Sequence, residues 1–220
     1  MIDLWLVRHG ETDWNRELRF QGHLDAPLNA LGLRQAERLG QHLAAQGPRT
    51  VVASDLLRTR QTANPLAGHW QTPVLPEALW REQCFGVIEG MTHDEVLERH
   101  PEVVQGWQRR DPDFAPEGGE SRRQFHARVM LAVQALVERC QREGWQAPVV
   151  VSHGGVLDMV YRSATGQPLA GPRECLIPNA GLNHVRTDGQ RFEIVSWAQT
   201  EHLQGLPPSA VYPTALPSKA

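Results

Sequence analysis

Apolar positions along this chain follow two patterns. Short unbroken runs, Leu4-Trp-Leu-Val7, Val51-Val-Ala53 and Val149-Val-Val151, suit strands buried on both faces of a sheet. Between them, apolar residues return every three or four positions, which predicts amphipathic helices. A strand over Ile2–Val7 leads into a polar loop over 10–29 with turns at Gly22 and Pro27–Asn29. A helix follows over Ala30–Ala45, burying Leu33, Ala36, Leu39, Gly40 and Leu43, and Gly47-Pro48 stops it. After a strand at Thr50–Ala53, Ser54 is expected to cap a helix with Asp55 in its first turn and Ala63, Leu66 and Ala67 inward. Pro73–Leu75 reads as the third strand. This alternation predicts a mostly parallel sheet with helices on both faces.

The second half reads more unevenly. Glu77–Gly90 is irregular. Thr92 and Glu95 form a capping box for a short helix ending near His100, where Pro101 breaks it. Residues 101–120, with Trp107, Arg109, Arg110 and Phe114 among Pro and Gly, read as a lid-like insertion. Ser121 and Gln124 open another capping box, followed by the clearest stripe of the chain: Phe125, Val129, Ala132, Val133, Leu136, Val137 and Cys140. A strand at Val149–Val151 precedes a helix to Thr165, with Gly166 as its stop. Asp188-Gly189 joins two strands in a hairpin, one of them antiparallel at the sheet edge. The organisation expected is one domain over 1–203 and a loose Pro-rich tail over 204–220.

Composition narrows the function classes. The chain has 220 residues and a formal charge of −3, which removes a global basic field for nucleic acid. No run approaches the roughly 20 apolar residues that a membrane helix needs. Cys84, Cys140 and Cys175 form neither a metal cluster nor a disulfide framework. A cytoplasmic protein without cofactor or metal is the expectation, with association into a homodimer through a sheet edge or the lid open.

Chemistry concentrates at strand ends. Arg8-His9-Gly10 follows the first strand, and Ser152-His153-Gly154-Gly155 follows the Val149 strand. In an open α/β sheet both lie at the edge where ligands sit. Arg58, one turn into its helix, and Glu82, in the irregular stretch, can reach the same edge. Two guanidiniums supply paired donors to phosphoryl oxygens, and the Gly10 and Gly154 amides can add more. A neutral imidazole can attack phosphorus. Periodicity does not distinguish the two histidines, and the Arg8 neighbour and tight turn favour His9. Glu82 is placed to protonate a leaving oxygen and then activate water, with a pKa raised by burial or by phosphate charge. A cysteine phosphatase would need an Arg where Gly90, Gln146 and Gly181 stand relative to the three cysteines.

These segments resemble the histidine phosphatase superfamily, the phosphoglycerate mutase-like proteins. Leu6-Val-Arg-His-Gly-Glu-Thr-Asp-Trp-Asn15 is similar to the opening signature of that family. Arg19–Leu28, Ser54–Ala63, Arg81-Glu82 with Phe85-Gly86 and Glu89-Gly90, Gly118–Ser121 and Val151–Gly155 resemble its later segments. The resemblance implies a three-layer α/β/α sandwich on a six-stranded, mostly parallel sheet. It implies His9 as the phosphorylated nucleophile, Arg8, Arg58 and His153 as phosphate-binding groups, and Glu82 as proton donor and acceptor. It also places Asn15 at the substrate phosphate and Gln21 and Gly22 in a loop lining the same pocket, beside the Gly154 amide already noted. Relatives often carry Trp where this chain has Ile88.

The activity this resemblance implies is metal-independent hydrolysis of a small phosphomonoester. A phosphoglycerate mutase, an α-ribazole phosphatase and a non-catalytic phosphate-ligand sensor are the alternatives. A mutase calls for further cations around its substrate, and residues 101–120 offer only Arg109 and Arg110. Trp14, Phe20, Trp107 and Phe114 are candidates for an aromatic pocket wall; two or more of them there would suit flat or apolar esters.

Overall fold

The computed structural model describes residues 1–47 and 49–209. β1 (Ile2–Arg8), β2 (Val51–Ala53), β3 (Val74–Pro76), β4 (Val149–Ser152), β5 (Leu182–Thr187) and β6 (Phe192–Gln199) form one sheet in the order β3-β2-β4-β1-β5-β6. β1, β2, β3 and β4 pair in parallel, whereas β5 runs antiparallel to both β1 and β6. The hairpin therefore adds one reversed strand to a sheet otherwise running one way.

The alternation of side chains across each strand divides the core in two. Val7, Val51, Ala53, Val149 and Val151 face α2 (Ala30–Ala44) and α3 (Leu57–Trp70), packing on Leu39, Leu43, Ala63, Leu66 and Trp70. Leu4, Leu6, Val52 and Val150 face the other way, onto α6 (Arg122–Glu143) and α7 (Gly154–Thr165). This is the expected three-layer sandwich. The long stripe from Phe125 to Cys140 is buried throughout.

Local chemistry explains where the elements differ from expectation. Leu33 is half exposed rather than inward, because the buried stripe of α2 runs through Leu31, Ala36, Leu39 and Leu43. The polar loop after β1 contains a one-turn helix, α1 (Asp13–Arg16), closed by a Thr12–Asn15 capping box. α3 begins at Leu57, not after Ser54; Leu56 is its N-cap and makes no side-chain cap. Asp25, from a distant loop, supplies the missing acceptor, its Oδ1 taking the Leu57 N–H at 2.5 Å. Pro101 ends α4 (His93–Arg99) but also starts α5 (Pro101–Gln108), since a first-turn proline sacrifices no helical bond. The expected stop at Pro48 lies outside the described residues.

A third, smaller core lies over the carboxyl end of the sheet. Ile88, Val96, Val103 and Val104 are buried there against Phe20, Phe85, Trp107 and Phe114. Ile88 thus fills the lid interior. Beyond β6, Ser209 accepts a hydrogen bond from Gln35 Nε2 at 2.6 Å, and residues 210–220 of the expected tail lie outside the described residues.

Candidate active site

A cavity of about 170 Å³ opens at the carboxyl end of β1 and β4, where Arg8, His9, Asn15, Gln21, Arg58, Glu82 and Gly154 meet. These come from six separate segments, and each is held by identifiable contacts. Arg8 is nearly buried and donates from Nη1 to the Ile177 carbonyl at 2.7 Å. Arg58 is fully buried at the start of α3 and donates to the carbonyls of Gly22 (2.8 Å) and Leu24 (2.9 Å), fixing the 21–25 loop. Gly22 therefore serves through its backbone and is not among the residues lining the cavity.

His9 has a defined tautomer. Its Nδ1–H donates to the Gly10 carbonyl at 2.7 Å, which leaves the lone pair on Nε2. Burial, with Arg58 and then Arg8 nearby, pushes its pKa well below the ordinary imidazole value. His9 is consequently neutral, the state a nucleophile needs. The Asn179 amide donates to its carbonyl at 3.0 Å.

Gly10 does not present its amide to the cavity as expected. Its N–H donates to Thr62 Oγ1 at 2.9 Å. A side chain there would approach the Gly32 carbonyl within 2.6 Å, so the glycine lets α2 pack directly on the strand end.

His153 lies behind His9, the rings 5.3 Å apart in an edge arrangement. It is fully buried, its Nε2 is 2.9 Å from Ser54 Oγ, and its Nδ1 has no hydrogen-bond partner. Burial, followed by the Arg58 and His9 neighbours, holds its pKa well below the usual value. Burial thus favours the neutral imidazole. Ser54, expected as a helix cap, instead orients this ring.

Glu82 is anchored at the start of α7. Its Oε2 accepts the Gly155 N–H at 3.0 Å and its Oε1 the Gln83 N–H at 2.9 Å. Its own carbonyl is clamped by Arg128 Nη2 and His23 Nε2, both at 2.9 Å. Arg128 also forks onto Glu120 at 2.8 and 2.6 Å. Nothing in the local sequence around Arg128 marks it, because its partners lie on the irregular 77–90 segment and at Glu120, before its own helix. Glu89 ties that segment to the 21–25 loop, accepting from the N–H groups of His23, Leu24 and Phe85 at 2.9–3.1 Å.

Asn15 uses its Oδ1 within the α1 capping box, at 3.0 Å from Thr12 N, which leaves its NH₂ group for the cavity. Of the four aromatics expected at the pocket, Phe20 lines it; Trp107 and Phe114 pack into the lid core, and Trp14 packs beside Gly90. Phe85 is the second aromatic of the wall, edge-on to Phe20 at 5.3 Å. Arg109 and Arg110 are exposed and do not line the cavity. Arg19 and Arg173 do, although sequence patterning marked neither as a ligand group. Among the described residues, no group of three or more His, Cys, Asp or Glu converges as a metal-ligand set, and no helix is long and apolar enough to cross a membrane.

The chain has relatives of known sequence and structure. The chain is 34% identical over 189 residues to a probable phosphoglycerate mutase, GpmB, of Klebsiella pneumoniae, covering 84% of this chain and 85% of the relative. It is 33% identical over 212 residues to a metal-independent phosphoserine phosphatase of Arabidopsis thaliana, covering 94% and 85%. A mycobacterial glucosyl-3-phosphoglycerate phosphatase solved with VO3 superposes with a TM-score of 0.78 at 31% identity, covering 91% of this chain and all of that one. The family model of the histidine phosphatase superfamily, branch 1, matches residues 4–200, and the chain belongs to that family.

Proposed function

We propose that His9 is the residue phosphorylated during turnover of this histidine phosphatase superfamily member, a metal-independent phosphomonoester hydrolase working through phosphohistidine. One observation carries this assignment: a neutral, buried imidazole with its proton on Nδ1 and its Nε2 lone pair left to the cavity between Arg8 and Arg58. In the first step Nε2 attacks phosphorus, the ester P–O bond breaks, and protonated Glu82 gives its proton to the leaving oxygen. In the second, ionised Glu82 takes a proton from water, whose oxygen displaces His9 and releases inorganic phosphate. Arg8 and Arg58 offset the charge on the transferring oxygens, where fixed donors stabilise a transition state best. A phosphate dianion would also favour protonation of the neutral His153, adding a donor beside the nucleophile.

The lid brings no cation of its own to the cavity, since Arg109 and Arg110 face solvent, and this supports hydrolysis over mutase action only for the lid side of the site; Arg19 and Arg173 line the wall elsewhere. The buried thiols of Cys140 and Cys175, each pushed up to about 11 by burial, suit the reducing cytoplasm. The test is incubation with phosphomonoesters in EDTA while inorganic phosphate and isomerised product are both followed. Phosphate release and an acid-labile phosphoenzyme are expected, and both should vanish in His9→Ala. Label persisting in that variant would refute the nucleophile assignment; isomerisation with little phosphate release would make the protein a mutase.

A further inference from the structure

Arg173 stands apart from the catalytic groups. It lies on the loop between α7 and β5, and reaches the cavity beside Gly154. A Cβ built on Gly154 would lie 3.4 Å from Arg8 Nε and 3.6 Å from Arg173 Nη1, so two guanidiniums flank the same glycine at the start of α7.

The loop that carries Arg173 is built, not incidental. Arg162 donates to the carbonyls of Pro168, Gly171 and Pro172, and Arg122 to that of Leu169. Both arginines are themselves fixed by the buried Asp158, whose Oδ2 accepts from Arg162 Nε at 3.0 Å and Arg122 Nη2 at 2.9 Å. Arg173 Nε lies 3.8 Å from Asp158 Oδ1, an ion pair too long for a hydrogen bond. One carboxylate thus faces three guanidiniums. The cationic surplus is presented at the cavity wall beside the phosphoryl site, on a side chain that is 29% exposed.

Resting on the phosphohydrolase reading, we propose that Arg173 is a specificity-determining residue that binds a carboxylate on the non-phosphoryl part of the substrate. A planar guanidinium matches a carboxylate in charge and in paired-donor geometry. The cavity, at about 170 Å³, is below the roughly 300–1,000 Å³ of sites for drug-sized ligands. The preferred ester is therefore a short phosphorylated carboxylic acid, with its carboxylate a few bonds from the phosphate.

The test compares 3-phosphoglycerate with glycerol 3-phosphate, which differ only in that carboxylate. Wild-type protein should favour the acid in kcat/KM by about ten- to hundredfold, the worth of a charge-assisted hydrogen-bonded pair. Arg173→Gln should remove that preference, chiefly by raising KM for the acid, with a clearly smaller loss on glycerol 3-phosphate, because the guanidinium also stands beside Arg8 at the phosphoryl end of the cavity. Arg173→Lys should restore part of it, having the charge without the fork. An equal fall for both esters, or no wild-type preference, overturns the assignment. A sugar bisphosphate preferred over the acid and equally sensitive to Arg173 would overturn the carboxylate in favour of a second phosphate. Hydrolysis of both esters without discrimination leaves the phosphohydrolase reading standing and sinks only the role of Arg173. Failure to hydrolyse either, with no phosphoenzyme formed, overturns both.

Discussion

Gly155→Ala tests the placement of Glu82 with a single methyl group. A Cβ at this position would lie 2.1 Å from Glu82 Oε1, 3.0 Å from its Cδ and 3.1 Å from the ring of Phe125. Phe125 is fully buried, so the methyl cannot move aside and the carboxylate must leave its two backbone donors. Replacing glycine inside a helix by alanine normally stabilises by about 0.5–1 kcal/mol, which offsets part of the loss of one or two hydrogen bonds at about 1 kcal/mol each. The net change in Tm should therefore stay within about 6 °C for a domain of this size. Activity should fall much further. A displaced general acid costs about 10²–10⁴-fold, and the loss should be largest for an alkyl phosphate, whose alkoxide needs a proton to depart. p-Nitrophenyl phosphate releases a stable phenolate, so its first step should be far less affected. Gly68→Ala, in α3 with no atom within 4 Å of the new methyl, is the control and should keep full activity. Steady-state kcat/KM on both esters, with Tm alongside, makes the measurement. Wild-type rates on the alkyl ester, or equal losses on both esters, would refute the acid–base role given to Glu82.

Two further outcomes concern stability. Asp25→Ala removes the acceptor at the first N–H of α3 and should cost about 1 kcal/mol, read as a lowered urea midpoint; an unchanged midpoint would show that solvent replaces the cap. His9 and His153 are both held below the ordinary imidazole pKa, chiefly by burial and then by Arg58. As pH falls below about 6.5 the unfolded chain takes up protons that the folded chain does not, so stability drops, by up to about 1.4 kcal/mol per pH unit for each imidazole. The depressed carboxylates, such as Asp55 held down by Arg81 and Glu120 by Arg128, add their own loss only at lower pH. Urea midpoints between pH 7 and 5 should fall in the wild type and fall less steeply in a His9→Asn/His153→Asn double variant, where His126 and His202, also held low by burial, still contribute; an equal slope in both would contradict the neutral imidazoles.

The layers and the strand-end histidines were legible because they follow from short-range pattern. Apolar runs such as Leu4–Val7 and Val149–Val151 cannot be satisfied at the surface, and the capping boxes at Thr92 and Ser121 are written in four residues. What escaped was set across the fold. Ser54 looks like a cap until its hydroxyl is found at His153, and the cap actually comes from Asp25. Arg173 has no local signature, since its position depends on Arg122, Arg162 and Asp158 from two helices. Pro101 was read as a stop because proline ends one helix and begins the next with the same missing N–H.

The position of β1 at the centre of the sheet also bears on how the protein is made. Its hydrogen-bonding partners are β4, beginning at Val149, and β5, ending at Thr187. During synthesis at about 5–20 residues per second, Leu4–Val7 waits roughly ten to thirty seconds before either neighbour exists. Over that interval an apolar strand with two open edges is exposed in the nascent chain, a template for intermolecular pairing. Fragments ending before β4 should accordingly be recovered as aggregates or bound to chaperones, and His9, though among the first residues made, gains its surroundings among the last.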